Sequence, residues 1–306
     1  MISRLVVVAL SAVIFSSSSL AQLTDDRTPD PLKARFVVDD VRNFITAFEM
    51  LTAGADTLAI LNAEYFEKGT PGLDIFVEKY DLTPERLRNA IRKHPEEYEA
   101  LRVMPKFLAE SEPHFRDCYV ELKRVVPHAE FPPTYFLVGS YRGIGSGSQE
   151  GPLITVEKED KTYIGDRMNA FLTHEMVHLQ QVEAIGLEKY LAIFGPEKSL
   201  LALTIREGIA EFFADLAVGE ITQEEARRFV IENEGVLWER FQQDMMGQET
   251  GDWMWSTPSD PDQPPHVAYY FGARIVEAYY HRAADKEKAV REILAVTDYP
   301  AFLEAS

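Results

Sequence analysis

The chain has 306 residues, of which 46% are hydrophobic and 26% are charged, and this balance is typical of a globular protein with a buried core. Its 31 lysines and arginines against 50 aspartates and glutamates give a net charge of −19, which disfavours nucleic acids and anionic membrane surfaces as partners. Cys118 is the only cysteine, so an internal disulfide and a cysteine-based zinc site are excluded. A metal site must therefore be built from histidine, glutamate and aspartate.

The N-terminus has the pattern of a secretory signal peptide over residues 1–21. An early positive charge, Arg4, precedes the apolar run Leu5–Phe15, and a small residue, Ala21, ends the segment. The apolar run is too short to cross about 30 Å of hydrocarbon as a membrane anchor, and no cysteine is close enough to carry a lipid. We predict cleavage after about Ala21 and export of 22–306 to the periplasm or the medium, without a stable membrane anchor.

The exported chain is predicted to be a single helix-rich domain of the α+β class. Its parts are helices at about 36–126, a β-hairpin at 134–159, two metal-binding helices at 166–218 and further helices at 222–298. Within the first part, apolar spacing predicts helices at 41–51, 56–67, 72–80 and 83–94, the last with Thr83 as N-cap and Pro84 at its first position. Two more are predicted over 96–126, separated near Pro113.

Two short runs of β-branched and aromatic residues, Thr134–Val138 and Leu153–Glu157, flank a glycine-rich stretch and predict a hairpin with a long loop. The stretch does not have the context of a phosphate-binding loop, because it is followed by a strand pattern rather than by Lys-Ser or Lys-Thr and a helix. We expect the strand Leu153–Glu157 to be available for pairing with an extended substrate.

The sequence HEMVH, residues 174–178, lies inside a predicted helix that Asp166 can cap and Gly186 can end. Histidines at i and i+4 share one face of a helix, so His174 and His178 can reach a single metal ion. Glu175 follows the first histidine directly and can take a proton from a metal-activated water. Two solvated or core histidines are the alternative interpretation of the same pattern.

A catalytic zinc site typically has three protein ligands and an open position. The second helix, about 200–218, is apolar along most of its length but places Glu207 and Glu211 one turn apart on one face. Two such carboxylates repel each other and are expensive to bury, and a cation beside them removes this cost. On spacing alone either glutamate can be the third ligand, and a pair on a solvated face is the alternative.

HEMVH followed by REGIAEF resembles the gluzincin metallopeptidases, whose zinc is bound by the two motif histidines and a glutamate on a downstream helix. More narrowly, YYFGARIVEAYY after the second helix is similar to poorly characterised predicted zinc-dependent proteases related to gliding-motility lipoproteins. The resemblance covers about 135–280. It implies one zinc ion per chain, held by His174, His178 and Glu207. It also implies Glu175 as the general base and Glu211 as the acceptor of a hydrogen bond from a ligand imidazole.

The chain departs from the better-known gluzincins in two ways. LEKYLAIFGPEKS is inserted between the second histidine and the glutamates and predicts a short helix and a loop. This longer spacing keeps the exchange of Glu207 and Glu211 as the third ligand open. The Gly-x-Met-Glu-Asn signature of the gluzincin aminopeptidases is absent from the sequence. Recognition of a free amino terminus therefore has no visible support.

Hydrolysis of a peptide bond also needs a donor for the developing oxyanion. His266, Tyr269 and Tyr270 begin the last long helix after a proline-rich loop, and each is a candidate for this role, with core packing as the alternative for the tyrosines. Trp253 and Trp255, in that loop, either line a substrate cleft or hold the loop in place.

The sequence as a whole predicts an exported zinc metallopeptidase that acts on a peptide or protein substrate. One alternative is an inactive zinc-bearing binding or structural protein. Another is a zinc amidase that acts on cell-wall peptides. The sequence names neither the physiological substrate nor the oligomeric state.

Overall fold

The computed structural model describes residues 26–52, 54–141, 145–148, 150–157, 168–195 and 198–306. The predicted signal peptide and the predicted cap Asp166 lie outside these residues. The fold is α+β and predominantly helical, which confirms the predicted fold class. Within the described ranges no helix combines the length and the apolar character needed to cross a membrane.

Short helices make up the first part of the chain, at the predicted places. They are α1 (Asp39–Glu49), α2 (Thr57–Leu61, continued by the π-helical turn Asn62–Phe66), α3 (Pro71–Tyr80), α4 (Pro84–Lys93) and α5 (Pro95–Ala100). The start of α4 is as predicted, because the Thr83 hydroxyl accepts a hydrogen bond from the backbone N–H of Arg86 and Pro84 is the first helical residue.

The predicted break near Pro113 is wrong. One helix, α6 (Met104–Val125), runs through this residue. A proline inside a helix removes a backbone hydrogen bond and costs about 3 kcal/mol or more. Here Leu108, Phe115, Tyr119 and Leu122 pack one face of α6 into the core on both sides of the proline, and their burial offsets this cost.

Four strands form one sheet in the order β1, β2, β4, β3, with β1 (Phe36–Val37), β2 (Thr134–Leu137), β3 (Gly145–Ser148) and β4 (Gly151–Thr155). The predicted hairpin is wrong in its pairing, because β2 and β4 are parallel neighbours, with Tyr135 opposite Leu153. The antiparallel partner of β4 is β3, from the glycine-rich stretch. Since β4 has a neighbour on each side, the predicted pairing of a substrate with this strand is also wrong.

Within the described residues 168–195 and 198–306, the C-terminal part of the chain contains seven helices, of which three pack together around the candidate metal centre. Its helices are α7 (Met168–Ile185), α8 (Leu187–Ala192), α9 (Leu200–Val218), α10 (Glu224–Asp244), α11 (Val267–Arg282), α12 (Lys286–Leu294) and α13 (Tyr299–Ala305). Helix α9 packs against both α7 and α11, and α7 also packs on the sheet and on α6. Buried apolar side chains from the N-terminal helices, the sheet and these helices form one connected core.

Helices α9 and α11 cross at a pair of glycines. A Cβ atom on Gly208 would lie 2.0 Å from the carbonyl carbon of Gly272, and one on Gly272 would lie 1.9 Å from the carbonyl oxygen of Thr204. Only glycine allows two backbones to approach this closely. The crossing therefore fixes the distance between the two helices.

We expect Gly208→Ala to destabilise the protein by at least about 1–3 kcal/mol, because the new methyl group meets backbone that cannot move aside without separating the helices. Gly235→Ala is the matched control, since this helical glycine of α10 has open space around its Cβ position; it should be neutral or stabilising by up to about 1 kcal/mol. Urea unfolding of both variants measures the difference. Equal stabilities would show that the crossing is not tightly packed.

The carboxyl group of Glu157, two residues after β4, is hydrogen-bonded to the turn that follows β2. Glu157 is buried and accepts hydrogen bonds from the backbone N–H groups of Gly139, at 2.8 Å, and Tyr141, at 3.4 Å. Burial raises the pKa of Glu157 to about 8, although these hydrogen bonds oppose the shift. The carboxyl group is therefore protonated in the folded protein at neutral pH.

This raised pKa predicts that stability falls with rising pH. Between about pH 4.5 and pH 8, Glu157 keeps its proton in the folded state and releases it in the unfolded chain. The free energy of unfolding therefore falls by at most about 1.4 kcal/mol for each pH unit. Burial raises the pKa of Asp40 to about 6 with the same sign, and the raised pKa of His174, about 10, also acts above pH 6.5, so the difference between wild type and a Glu157 variant from pH 6.5 to 8, not the wild-type slope alone, isolates Glu157. Glu157→Gln should flatten the pH dependence of the urea midpoint there. Parallel curves for the two proteins would contradict the assignment.

Candidate metal centre

The HEMVH sequence lies in the middle of α7, at the point where this helix passes through the core. Residues 170–181 of α7 are all buried, and Gly186, with φ of 83°, ends the helix as predicted. His174 and His178 are 4% and 6% exposed. The two imidazoles therefore do not lie on a solvated face, and of the alternative interpretation only two core histidines remain.

Helix α9 brings the two glutamates to α7. The Ser199 hydroxyl accepts a hydrogen bond from the N–H of Ala202 at the start of α9, and Gly219, with φ of 70°, ends the helix. The residues from 200 to 214 are all buried, including Glu207 and Glu211. A solvated face for this glutamate pair is therefore excluded as well.

Three potential ligand atoms converge between the two helices. Nε2 of His178 lies 3.1 Å from Nε2 of His174 and 3.2 Å from Oε2 of Glu207, and the third side of the triangle, from His174 Nε2 to Glu207 Oε2, is 3.4 Å. A tetrahedral ion with bonds of about 2.0–2.1 Å has ligand atoms about 3.3–3.4 Å apart. These three residues, all buried, can hold a metal ion.

The tautomer of His178 follows from its neighbours. The side-chain amide of Gln181 donates from Nε2 to the backbone carbonyl of Arg206 at 3.1 Å, which leaves its Oε1 at 2.9 Å from His178 Nδ1. Because an amide oxygen only accepts, the proton of the neutral imidazole is on Nδ1. The lone pair on Nε2 then points towards His174 and Glu207, as metal binding requires.

Glu211 has a different position from Glu207. Its Oε1 lies 3.0 Å from Nδ1 of His174, which is the ring nitrogen away from Glu207. The hydroxyl of Thr222 also donates to Oε1 of Glu211, and the backbone N–H of Thr222 donates to Oε2 of Glu211 at 3.0 Å. Both oxygens of Glu211 are therefore engaged away from the converging atoms, so this geometry favours Glu207 as the third ligand and Glu211 as the group that orients His174.

The electrostatics of the centre favour a cation. Burial alone would lower the pKa of His174, but Glu207 and Glu211 outweigh it and raise this pKa to about 10. Burial would raise the pKa of Glu207, but Arg206 and the two histidines hold it well below its usual range. The Glu207 carboxylate is thus ionised and attracts positive charge, which a divalent ion would supply.

Arg206 contacts the third ligand from outside the cluster. Its guanidinium donates to Oε1 of Glu207, the oxygen that does not face the histidines. The guanidinium carbon lies 4.1 Å from the ring centre of Phe194 and 5.0 Å from that of Tyr190. These rings come from the predicted insertion, whose short helix is α8, and Tyr190 also approaches the ring of His178 at 6.3 Å. The insertion therefore holds the arginine that orients Glu207.

Sequence reasoning missed Gln181, Arg206 and Thr222. Gln181 had a local signal, because a residue three positions after His178 is its neighbour on a helix. Arg206 had none, since adjacent residues on a helix point about 100° apart. Thr222 follows the end of α9, and only the chain reversal after Gly219 returns it to Glu211.

Glu175 is buried beside the first histidine, 7% exposed, and does not belong to the group whose atoms converge. Its charge acts on His174, on Tyr190 of the insertion and on Lys79 of α3. The carboxylate thus lies among groups from three different elements around the centre. The role of Glu175 as the general base stays a prediction.

The three candidate donors are placed differently. The ring of Tyr269 is nearly parallel to that of His174, with centres 6.0 Å apart, and His266 contacts Tyr269 with ring centres 5.3 Å apart. Tyr270 instead lines a neighbouring surface pocket of about 360 Å³, where Arg227 lies 6.0 Å from its ring. The geometry therefore favours Tyr269 over Tyr270 as a donor near the metal centre.

The two tryptophans of the preceding loop also differ. Trp253 is buried, and its indole N–H donates to Asp244 at 2.9 Å, so this residue holds the loop against α10. Trp255 is 48% exposed, and its indole N–H donates to the hydroxyl of Tyr269 at 2.9 Å. Trp255 is therefore linked through Tyr269 to His174.

Comparison of the chain with protein-family models, with curated proteins and with solved structures finds no match. The resemblance to gluzincin metallopeptidases thus stays a prediction that rests on the motif residues.

We expect the protein, purified without added metal, to contain about one divalent ion per chain, and His174→Ala to remove it. Glu207→Gln should weaken metal binding more than Glu211→Gln, for which a loss of roughly 10- to 100-fold is expected because this residue acts only by orienting His174. Elemental analysis and competition with a chelator measure both effects. The reverse order would assign the third ligand to Glu211.

Proposed function

We propose that the protein is a zinc metallopeptidase, exported after removal of the predicted signal peptide, that hydrolyses peptide bonds with Glu175 as general base. One observation carries the proposal: Nε2 of His174, Nε2 of His178 and Oε2 of Glu207 lie 3.1–3.4 Å from one another in the core, and the carboxylate of Glu175, which does not belong to this group, is buried beside His174. A purely structural histidine pair needs neither the third ligand nor the adjacent base.

The set of two histidines and one glutamate is a known ligand set of catalytic zinc, and it leaves a coordination position open. A bound zinc ion would supply a Lewis acid for the carbonyl group and would acidify the attacking water. Gln181, hydrogen-bonded to His178 Nδ1, and Glu211, whose Oε1 lies 3.0 Å from His174 Nδ1, fix the orientation of the two imidazoles, which favours tight metal binding.

The residues of the chain then have distinct tasks. Glu175 accepts the proton of the water that attacks the carbonyl carbon, and it passes this proton to the leaving amine as the C–N bond breaks. Tyr269 donates a hydrogen bond to the carbonyl oxygen as negative charge develops on it. His266 and Tyr270 are less favoured for this task, since His266 is one ring further from His174 and Tyr270 lies in the neighbouring pocket.

Glu175→Gln tests the proposal, because it keeps the size of the side chain and removes the base. Zinc content and melting temperature should stay near wild type, while cleavage of a diverse peptide library falls by at least roughly 10²-fold. Glu188→Gln, an exposed position in α8, is the matched control and should cleave like wild type.

Three other outcomes would contradict the proposal in different ways. Equal cleavage by wild type and Glu175→Gln would remove the role of the base. Zinc binding without cleavage of any peptide would favour the inactive binding protein. Cleavage restricted to cell-wall stem peptides would favour the amidase.

A further inference from the structure

The turn that carries Trp255 is fixed to the start of α11. The backbone N–H of His266 donates to the carbonyl of Met254 at 2.8 Å, and the N–H of Ala268 donates to that of Trp253 at 3.1 Å. The first N–H groups of a helix have no partner within the helix, so the turn satisfies groups that α11 leaves open. The two residues directly before Trp255 are therefore fixed to α11, while about half of the Trp255 side chain faces solvent.

The hydrogen bond between the two side chains has only one direction. An indole N–H is a donor and never an acceptor, so the Tyr269 hydroxyl is the acceptor at 2.9 Å. The phenol then keeps its own proton for another partner. Within the described part of the chain this hydroxyl has no second hydrogen bond.

The position of the Tyr269 ring limits the directions in which its phenol O–H can donate. The Tyr269 ring lies within 11° of parallel to the ring of the candidate ligand His174, and the side chain is only 7% exposed. The backbone of His266, three residues earlier, has φ of 66°, a left-handed conformation that is uncommon for a residue with a side chain. Strain of this kind is concentrated at functional sites, and here it lies where the turn joins α11.

We infer that Trp255 is a positioning residue for the proposed peptidase: its indole N–H holds the Tyr269 hydroxyl so that the phenol proton faces the carbonyl oxygen of the substrate. The inference rests on the proposed function, and it adds a residue whose effect passes through another. Trp255 contacts the phenol oxygen from one side, and the substrate oxygen accepts the phenol proton on the other.

The test is a double-mutant cycle in the zinc-loaded full chain, with a peptide that wild type cleaves. Tyr269→Phe removes the donor and should lower kcat by roughly 10²-fold, the scale of one lost oxyanion donor. Trp255→Phe keeps an aromatic ring and removes the N–H, and it should lower kcat by roughly 10-fold with little change in KM. In the double variant the loss should equal that of Tyr269→Phe alone, because the indole acts only through the phenol.

Trp253→Phe is the matched control, because it removes an indole N–H from the same turn at a bond to Asp244. It should lower the melting temperature without a specific loss of kcat. A second measurement separates positioning from folding: Trp255→Phe should bind a phosphinic peptide, which imitates the tetrahedral species, roughly 10-fold more weakly and should bind the corresponding uncleaved peptide as wild type does.

The outcomes separate the two proposals. If the losses of kcat in Trp255→Phe and Tyr269→Phe multiply in the double variant, or if Trp255→Phe changes KM alone, Trp255 does not act through Tyr269 and the inference is overturned. In either case, cleavage by the wild type still supports the proposed peptidase. If wild type with zinc bound cleaves no peptide and binds no phosphinic peptide, the proposed function fails and the inference fails with it.

Discussion

The structure around the candidate metal centre depends on how the protein accommodates two carboxylates inside its core. Glu207 and Glu211 lie on a buried, mainly apolar stretch of α9, where an ionised carboxylate without a partner would be strongly unfavourable. Arg206 donates to Glu207 and Thr222 donates to Glu211, and the imidazole of His174, from α7, lies between the two carboxylates. Because the partners come from different elements, these elements can satisfy the carboxylates only in the packing that also brings the ligand atoms together.

The features that the sequence predicts correctly have local causes. Thr83 and Pro84 start a helix, and Gly186 ends one, through conformational preferences that a short segment already contains. Burial of His174, Glu207 and their neighbours was predictable for a related reason, since charged residues at helical spacing within apolar helices need a compensating partner wherever the helices pack. Spacing alone does not separate Glu207 from Glu211, because their difference depends on the hydrogen bonds that Thr222 donates to both oxygens of Glu211; only the resemblance to the gluzincins implies it.

The features that were missed or wrong have causes distant in sequence. The pairing of β2 with β4 depends on the glycine-rich stretch, whose Gly145–Ser148 strand has neither β-branched nor aromatic residues and takes the edge position. Pro113 does not end α6 because tertiary burial on both sides of it outweighs a local preference. Arg206 is oriented by rings of the insertion. Propensity and spacing describe none of these contacts.

The site divides into a part set by backbone packing and a part that faces solvent. Gly208 follows Glu207 directly, and Gly272 lies three residues after Tyr269, so the glycine crossing fixes a candidate ligand and a candidate donor through the same backbone contact. Neither can move without separating α9 from α11. Trp255 is held by its indole N–H and by the anchored residues before it, and about half of its side chain is exposed and can meet a ligand. If the protein is a peptidase, the loop before α11 is the part of the described chain best placed to adapt to different substrates, because the α9–α11 crossing fixes the candidate ligand Glu207 and the candidate donor Tyr269.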